Sequence, residues 1–101
     1  MNFSPSLESS IRRLFPHKNM DQALAELLLE RAQKNILKYQ VIARQFQAKY
    51  DQDFEAFRQK ILSSEPSFEV EQDYFDWELA VTGIADMEAE IKHLNDSYWP
   101  E

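Results

Sequence analysis

The sequence predicts an all-α fold: a small bundle of three to four helices built on a long antiparallel helix pair. The chain has 101 residues, of which one is glycine and four are proline. Strand-rich folds need frequent turn residues, and this chain supplies few of them. Apolar residues make up 44% of the chain and aromatic residues 13%, more than a disordered segment contains. This length suits one helical domain over residues 1–101.

The longest predicted helix runs from Met20 to Tyr50, with Asn19 as its N-cap. Its main apolar stripe recurs at intervals of three and four residues and consists of Leu29, Ala32, Ile36, Tyr39, Ala43, Phe46 and Tyr50. A second stripe beside it consists of Leu24, Leu28, Leu37 and Val41. Because one neighbouring helix covers only one stripe, we expect this helix to contact two neighbours, or one neighbour and a dimer mate.

Three further helices complete the predicted bundle. A short N-terminal helix is expected over residues 6–14, and a second short helix over residues 52–62 with Asp51 as its cap. The last helix is expected over residues 67–94, where apolar residues recur at every seventh position from Val70.

Charge is distributed unevenly along the chain, which carries a formal net charge of −7. Residues 1–50 hold eight lysines and arginines against four acidic residues, whereas residues 51–101 hold three against fourteen. The acidic half is therefore expected either to pack on the basic half or to face a basic partner. A net charge of this sign repels phosphate, so nucleic acid is not the expected ligand.

The segment Asp73-Tyr-Phe-Asp-Trp-Glu78 combines aromatic and acidic residues on the last helix. Phe75 lies roughly opposite the predicted buried side, and an exposed aromatic framed by carboxylates is typical of a protein interface. The alternative is that the loop over residues 63–67 covers Phe75 and that Trp99 closes the end of the core. The predicted partner-binding residues are Glu71, Asp73, Phe75, Asp76, Glu78 and Trp99.

Chemistry-bearing groups are few. Glu90 and His93 have the Glu-x-x-His spacing of di-metal helical bundles, but such a site needs a second pair and further carboxylates. A metal-binding bundle enzyme using these two residues is one alternative, and a self-associating structural protein with all aromatics internal is another. We expect no catalytic residues and no cofactor. Gly83 is expected to let the last helix approach the protein's own long helix, or else a partner helix.

The chain contains no cysteine, and its first residues lack the apolar segment of a signal peptide. The longest apolar stretch, residues 23–29, is too short to cross a bilayer. These features predict a cytoplasmic protein without membrane contact.

Residues 40–92 resemble small acidic prokaryotic proteins that are similar to antitoxins encoded beside a toxin-like partner. The resemblance is carried by Phe46, Lys49-Tyr50, Phe54, Phe57, Glu71-Gln-Asp-Tyr-Phe-Asp-Trp-Glu78, Ile84 and Met87-Glu88. It implies an acidic helix that masks a basic partner, one that cleaves nucleic acid, and it implies no catalytic residue in this chain. The resulting hypothesis is a non-enzymatic protein-binding module that forms a homodimer and neutralises a basic cytoplasmic protein through its last helix.

Overall fold

The computed structural model describes residues 3–100, and its regular structure is entirely helical. The four helices are α1 (Pro5–Leu14), α2 (Met20–Tyr50), α3 (Phe54–Leu62) and α4 (Phe68–Tyr98). The prediction of an all-α protein is confirmed. Within the described residues, no helix combines the length and the hydropathy that a membrane span requires.

Side-chain caps fix where all four helices begin. At the start of α2, the side-chain oxygen of Asn19 accepts from the backbone N–H of Gln22 at 2.8 Å, and the Gln22 side chain accepts from the backbone N–H of Asn19 at 3.3 Å. This reciprocal arrangement is a capping box. The hydroxyls of Ser4 and Ser67 cap α1 and α4 in the simpler way.

The corner between α2 and α3 differs from the expectation that Asp51 caps the second short helix. Asp51 instead ends α2 in the left-handed conformation, with φ 50°. The cap of α3 is Asp53, whose carboxylate accepts from the backbone N–H of Ala56 at 2.8 Å. A left-handed residue turns the chain out of the helix, so α3 begins two residues later than predicted.

Helix α4 continues to Tyr98, four residues beyond the predicted end. Nothing between Leu94 and Tyr98 blocks helical backbone, and Lys92 forms an ion pair with Asp96 across one turn. The helix ends at Trp99 because a residue that precedes proline is driven out of the α region.

Helices α2 and α4 form the main contact of the fold. Near the middle of both helices the ring of Tyr39 packs directly over Gly83, where a Cβ atom would lie 2.7 Å from the ring. Gly83 therefore serves close packing within the chain, which is the first of the two predicted roles.

The core is thin outside one aromatic cluster. The large buried side chains are Phe57, Tyr74 and Trp77 at one end of the α2–α4 contact, with Leu94 toward the other end. Most of the remaining buried positions are alanines. The molecule is elongated, 57 × 31 × 23 Å, with a radius of gyration of 19.4 Å, where a compact domain of this length has roughly 13 Å. Such a shape leaves much apolar surface uncovered.

Candidate protein-interaction surface

An aromatic cluster anchors the N-terminal half of α4. Trp77 is 2% exposed, and its ring centre lies 5.1 Å from that of Phe57 and 5.4 Å from that of Phe54. On the α2 side the Trp77 ring stacks on Phe46 at 5.9 Å. Aromatic pairs at these separations add to the free energy gained by burial alone. The backbone that carries the acidic segment is therefore held firmly against α2 and α3.

A polar contact beside this cluster joins the end of α2 to α4. Asp73 Oδ2 accepts from Lys49 Nζ at 2.6 Å and from the Tyr50 hydroxyl at 2.5 Å, and Lys49 also lies 3.3 Å from Glu69. Both hydrogen bonds stabilise the ionised carboxyl and hold the pKa of Asp73 below its ordinary value, and the one from Lys49 has the larger effect. The hydrogen bond to Asp73 raises the pKa of the Lys49 amine. The pKa of the Tyr50 hydroxyl is raised mainly by burial and secondly by its hydrogen bond to the same carboxylate.

Asp73 therefore belongs to the inner side of α4, although the sequence placed it on the partner-binding surface. Its side chain is only 14% exposed, and its carboxylate oxygen already has two donors from the chain's own α2. The other five predicted partner-binding residues are not part of this polar contact.

The opposite side of α4 carries an uncovered apolar stripe. Phe68 is 83% exposed, Phe75 52% and Leu79 69%. The intervals of seven and four residues put the three side chains on one side of the helix. Phe75 rests its ring against the edge of Tyr74, 5.5 Å between centres, and still presents half of its surface.

Carboxylates border this stripe. Glu71, Asp76 and Glu78 are exposed, and no lysine or arginine among residues 3–100 lies within ion-pair distance of them. Asp76 accepts a hydrogen bond from the Gln72 side-chain amide at 3.1 Å, and Glu78 accepts one from the Tyr74 hydroxyl at 3.0 Å. We call the set Phe68, Glu71, Phe75, Asp76, Glu78 and Leu79 the outer α4 face.

Trp99 lies at the far end of the bundle, about 36 Å from Phe75 at a helical rise of 1.5 Å per residue. Its ring lies 5.8 Å from Lys18 Nζ, and Lys18 in turn lies 3.2 Å from Glu26. These residues line a depression of about 330 Å³ together with Leu29 and Asn95. Trp99 lies at the end of the bundle beside Lys18 and is too distant to share one compact surface with Phe75.

Glu90 and His93 are both exposed on α4. Within residues 3–100, no group of three or more histidine, aspartate and glutamate side chains is placed to hold a metal ion. A metal centre at this pair would therefore need further ligands from outside the described chain, such as those of a second copy.

Sequence reasoning missed Phe68 and Leu79. The signal was available, because these residues stand seven before and four after Phe75 and fall outside the buried seam that includes Val70 and Trp77. No family model matches the chain, and neither the curated proteins nor the solved structures include a significant match.

Proposed function

We propose that the chain is a non-catalytic protein-binding module whose outer α4 face docks a basic protein. The observation that carries this proposal is the exposure of Phe68, Phe75 and Leu79 in one stripe, bordered by carboxylates that have no cationic partner within residues 3–100. An apolar centre with a charged rim is the usual composition of a protein interface.

The two components of the face contribute differently to binding. The aromatic and aliphatic side chains supply the area that is removed from water, and a buried phenylalanine is a typical anchor. Glu71, Asp76 and Glu78 select a partner of opposite charge and accelerate its approach. A basic partner with an apolar patch satisfies both components.

Rigid support of α4 favours affinity. We propose that α2 and α4 form an antiparallel pair. Three contacts support this proposal, because the residue number on α2 decreases as that on α4 increases: Tyr50 with Asp73, Phe46 with Trp77, and Tyr39 with Gly83. A face held by such a pair loses little conformational entropy on binding.

The resemblance to antitoxins makes a basic, toxin-like protein encoded beside this gene the first partner to test. In that role the chain neutralises its partner by covering the partner's basic surface. A homodimer is compatible with this role if the outer α4 face of at least one copy stays accessible.

The test is calorimetric titration of the purified neighbouring gene product into this chain at low and high salt. The variant carries Phe75→Ala and Asp76→Lys. The matched control carries Leu14→Ala and Glu65→Lys, which remove a smaller but more exposed apolar side chain and make the same charge change outside the outer α4 face. We expect the variant to lose affinity by a factor of about 30 or more, as for an interface anchor. The control is expected to bind like the wild type.

Higher salt is expected to weaken binding, because exposed charges are screened. If the variant binds as tightly as the wild type, the outer α4 face is not the contact surface. If the neighbouring protein shows no binding at any salt concentration, the antitoxin-like role is wrong.

A further inference from the structure

The side of α2 that faces away from α4 is also partly apolar and uncovered. Leu37 is 59% exposed and Val41 50%, and Ala48 is exposed two turns further on. Lys38 and Arg44 border these residues, and neither has a carboxylate within ion-pair distance among residues 3–100. We call these five residues the outer α2 face.

The spacing of this face mirrors that of the outer α4 face. Its apolar positions are separated by four and then seven residues, whereas Phe68, Phe75 and Leu79 are separated by seven and then four. Both sets span about 16 Å at a rise of 1.5 Å per residue. When the two helices are laid antiparallel, Leu79 meets Leu37, Phe75 meets Val41, and the large ring of Phe68 meets the small Ala48.

The bordering charges are complementary in that same register. On the helical wheel, the flank of α2 that bears Lys38 lies beside the flank of α4 that bears Asp76. Arg44 on the other flank lies beside Glu71. Both pairs fall within one turn of each other along the axis, which is the reach of an interhelical ion pair.

The exposed area is large enough for such a contact. The accessible surface is 7610 Å² for a 12.0 kDa chain, roughly 1,600 Å² more than a compact monomer of that mass exposes. A standard interface buries about 800 Å² on each partner. The surplus is therefore comparable in size to two such surfaces.

From this complementarity we infer that a second copy of the chain binds the outer α2 face through its own outer α4 face. The inference rests on the outer α4 face of the proposed function, and it needs no other protein. Because the two faces lie on opposite sides of the α2–α4 contact, the association is head-to-tail, and the assembly as a whole retains one free face of each kind until a ring closes.

Charge also disfavours the symmetric alternatives. Two outer α4 faces would bring Glu71, Asp76 and Glu78 against their own copies. Two outer α2 faces would oppose Lys38 and Arg44 in the same way. Like charges at such positions destabilise a contact.

Mixing two variants tests this geometry. The first variant carries Lys38→Glu and Val41→Asp on α2, and the second carries Phe75→Ala and Asp76→Lys on α4. Each is followed by sedimentation velocity over a wide concentration range, alone and in equimolar mixture, and far-UV circular dichroism checks its folding. Leu14→Ala with Glu65→Lys is the control.

We expect the wild type and the control to associate with rising concentration, and each variant alone to associate about tenfold or more weakly. The mixture is expected to recover a 1:1 dimer and to go no further, because only one intact pair of faces remains. A symmetric interface would give no such recovery, so failure of the mixture to associate while the wild type does so would overturn the inference. A wild type that stays monomeric throughout would overturn it as well.

A charge-only pair keeps the test decisive if a double variant misfolds. Lys38→Glu and Asp76→Lys are each expected to weaken self-association, and both substitutions in one chain are expected to restore it. Restoration that does not occur contradicts the register.

The outcome is separable from that of the proposed function. The α2 variant keeps an intact outer α4 face and is therefore expected to bind the basic partner as the wild type does. Loss of self-association with retained partner binding supports the inference, whatever the identity of the partner.

Discussion

Replacement of the single glycine tests the close approach of α2 and α4. Alanine at a helix-interior position is about 1 kcal/mol more favourable than glycine when nothing else changes. At Gly83 the added Cβ would lie 2.7 Å from Cδ2 and Cε2 of Tyr39, well inside the 3.5–4.0 Å at which carbon atoms pack. Displacing a ring held between two helices costs about 1–3 kcal/mol, as in other overpacked cores. Gly83→Ala is therefore expected to destabilise the protein by about 1 kcal/mol.

A second background isolates the cause. In a Tyr39→Ala chain the ring is absent, so Gly83→Ala is expected to stabilise by about 1 kcal/mol through helix propensity alone. The two effects differ in sign and give a coupling free energy of about 2 kcal/mol. Urea unfolding of all four chains, followed by far-UV circular dichroism, measures the cycle. A stabilising effect of Gly83→Ala in the wild-type background would refute the contact.

Four further substitutions examine the rest of the structure by the same unfolding measurement. Asp73→Asn is expected to lower the free energy of unfolding by about 1 kcal/mol at neutral pH, the upper range for a partly exposed ion pair. Because folding lowers the pKa of Asp73, this loss of stability is fully present above the unfolded-state pKa of about 3.9. It disappears as the pH falls below that value and through the lower folded-state pKa. Asp51→Gly is expected to stabilise by up to about 1 kcal/mol, since glycine adopts φ 50° without the Cβ penalty. Trp77→Ala is expected to lower the free energy of unfolding by about 3–5 kcal/mol, because Trp77 is buried. Phe68→Ala is expected to change it very little, because Phe68 is exposed. If Phe68→Ala destabilised the protein as much as Trp77→Ala does, the assignment of core and surface would be contradicted.

Much of the helical framework was predictable from local signals. Asn19 followed by Gln22 marks the start of α2, and the heptad positions occupied by Trp77 and its neighbours mark the buried side of α4. Such signals act within a few residues, so one sequence is enough to detect them.

Local signals are not enough where distant residues decide how a side chain is placed. Asp73 looked like a surface acid, but it lies between the positions of Val70 and Trp77, and the α2–α4 register brings Lys49 and Tyr50 to it. That register is a tertiary property. A carboxylate at the margin of an apolar stripe is equally consistent with an internal ion pair and with a docking surface.

The ends of helices show a related limit. The left-handed conformation of Asp51 separates α2 from α3, although no glycine or proline at this position indicates a break in the sequence. The extension of α4 to Tyr98 follows from the first proline that comes after it, Pro100, rather than from the end of the apolar repeat.

Docking of a basic protein on the outer α4 face is tested most directly by mapping backbone amide chemical shifts by NMR. On titration with the purified neighbouring gene product, we expect the largest shifts to cluster between Phe68 and Leu79. Amides of α1 and of the α4 end near Trp99 are predicted to change little. Shifts concentrated on α1 or near Trp99, with residues 68–79 unchanged, would contradict the claim.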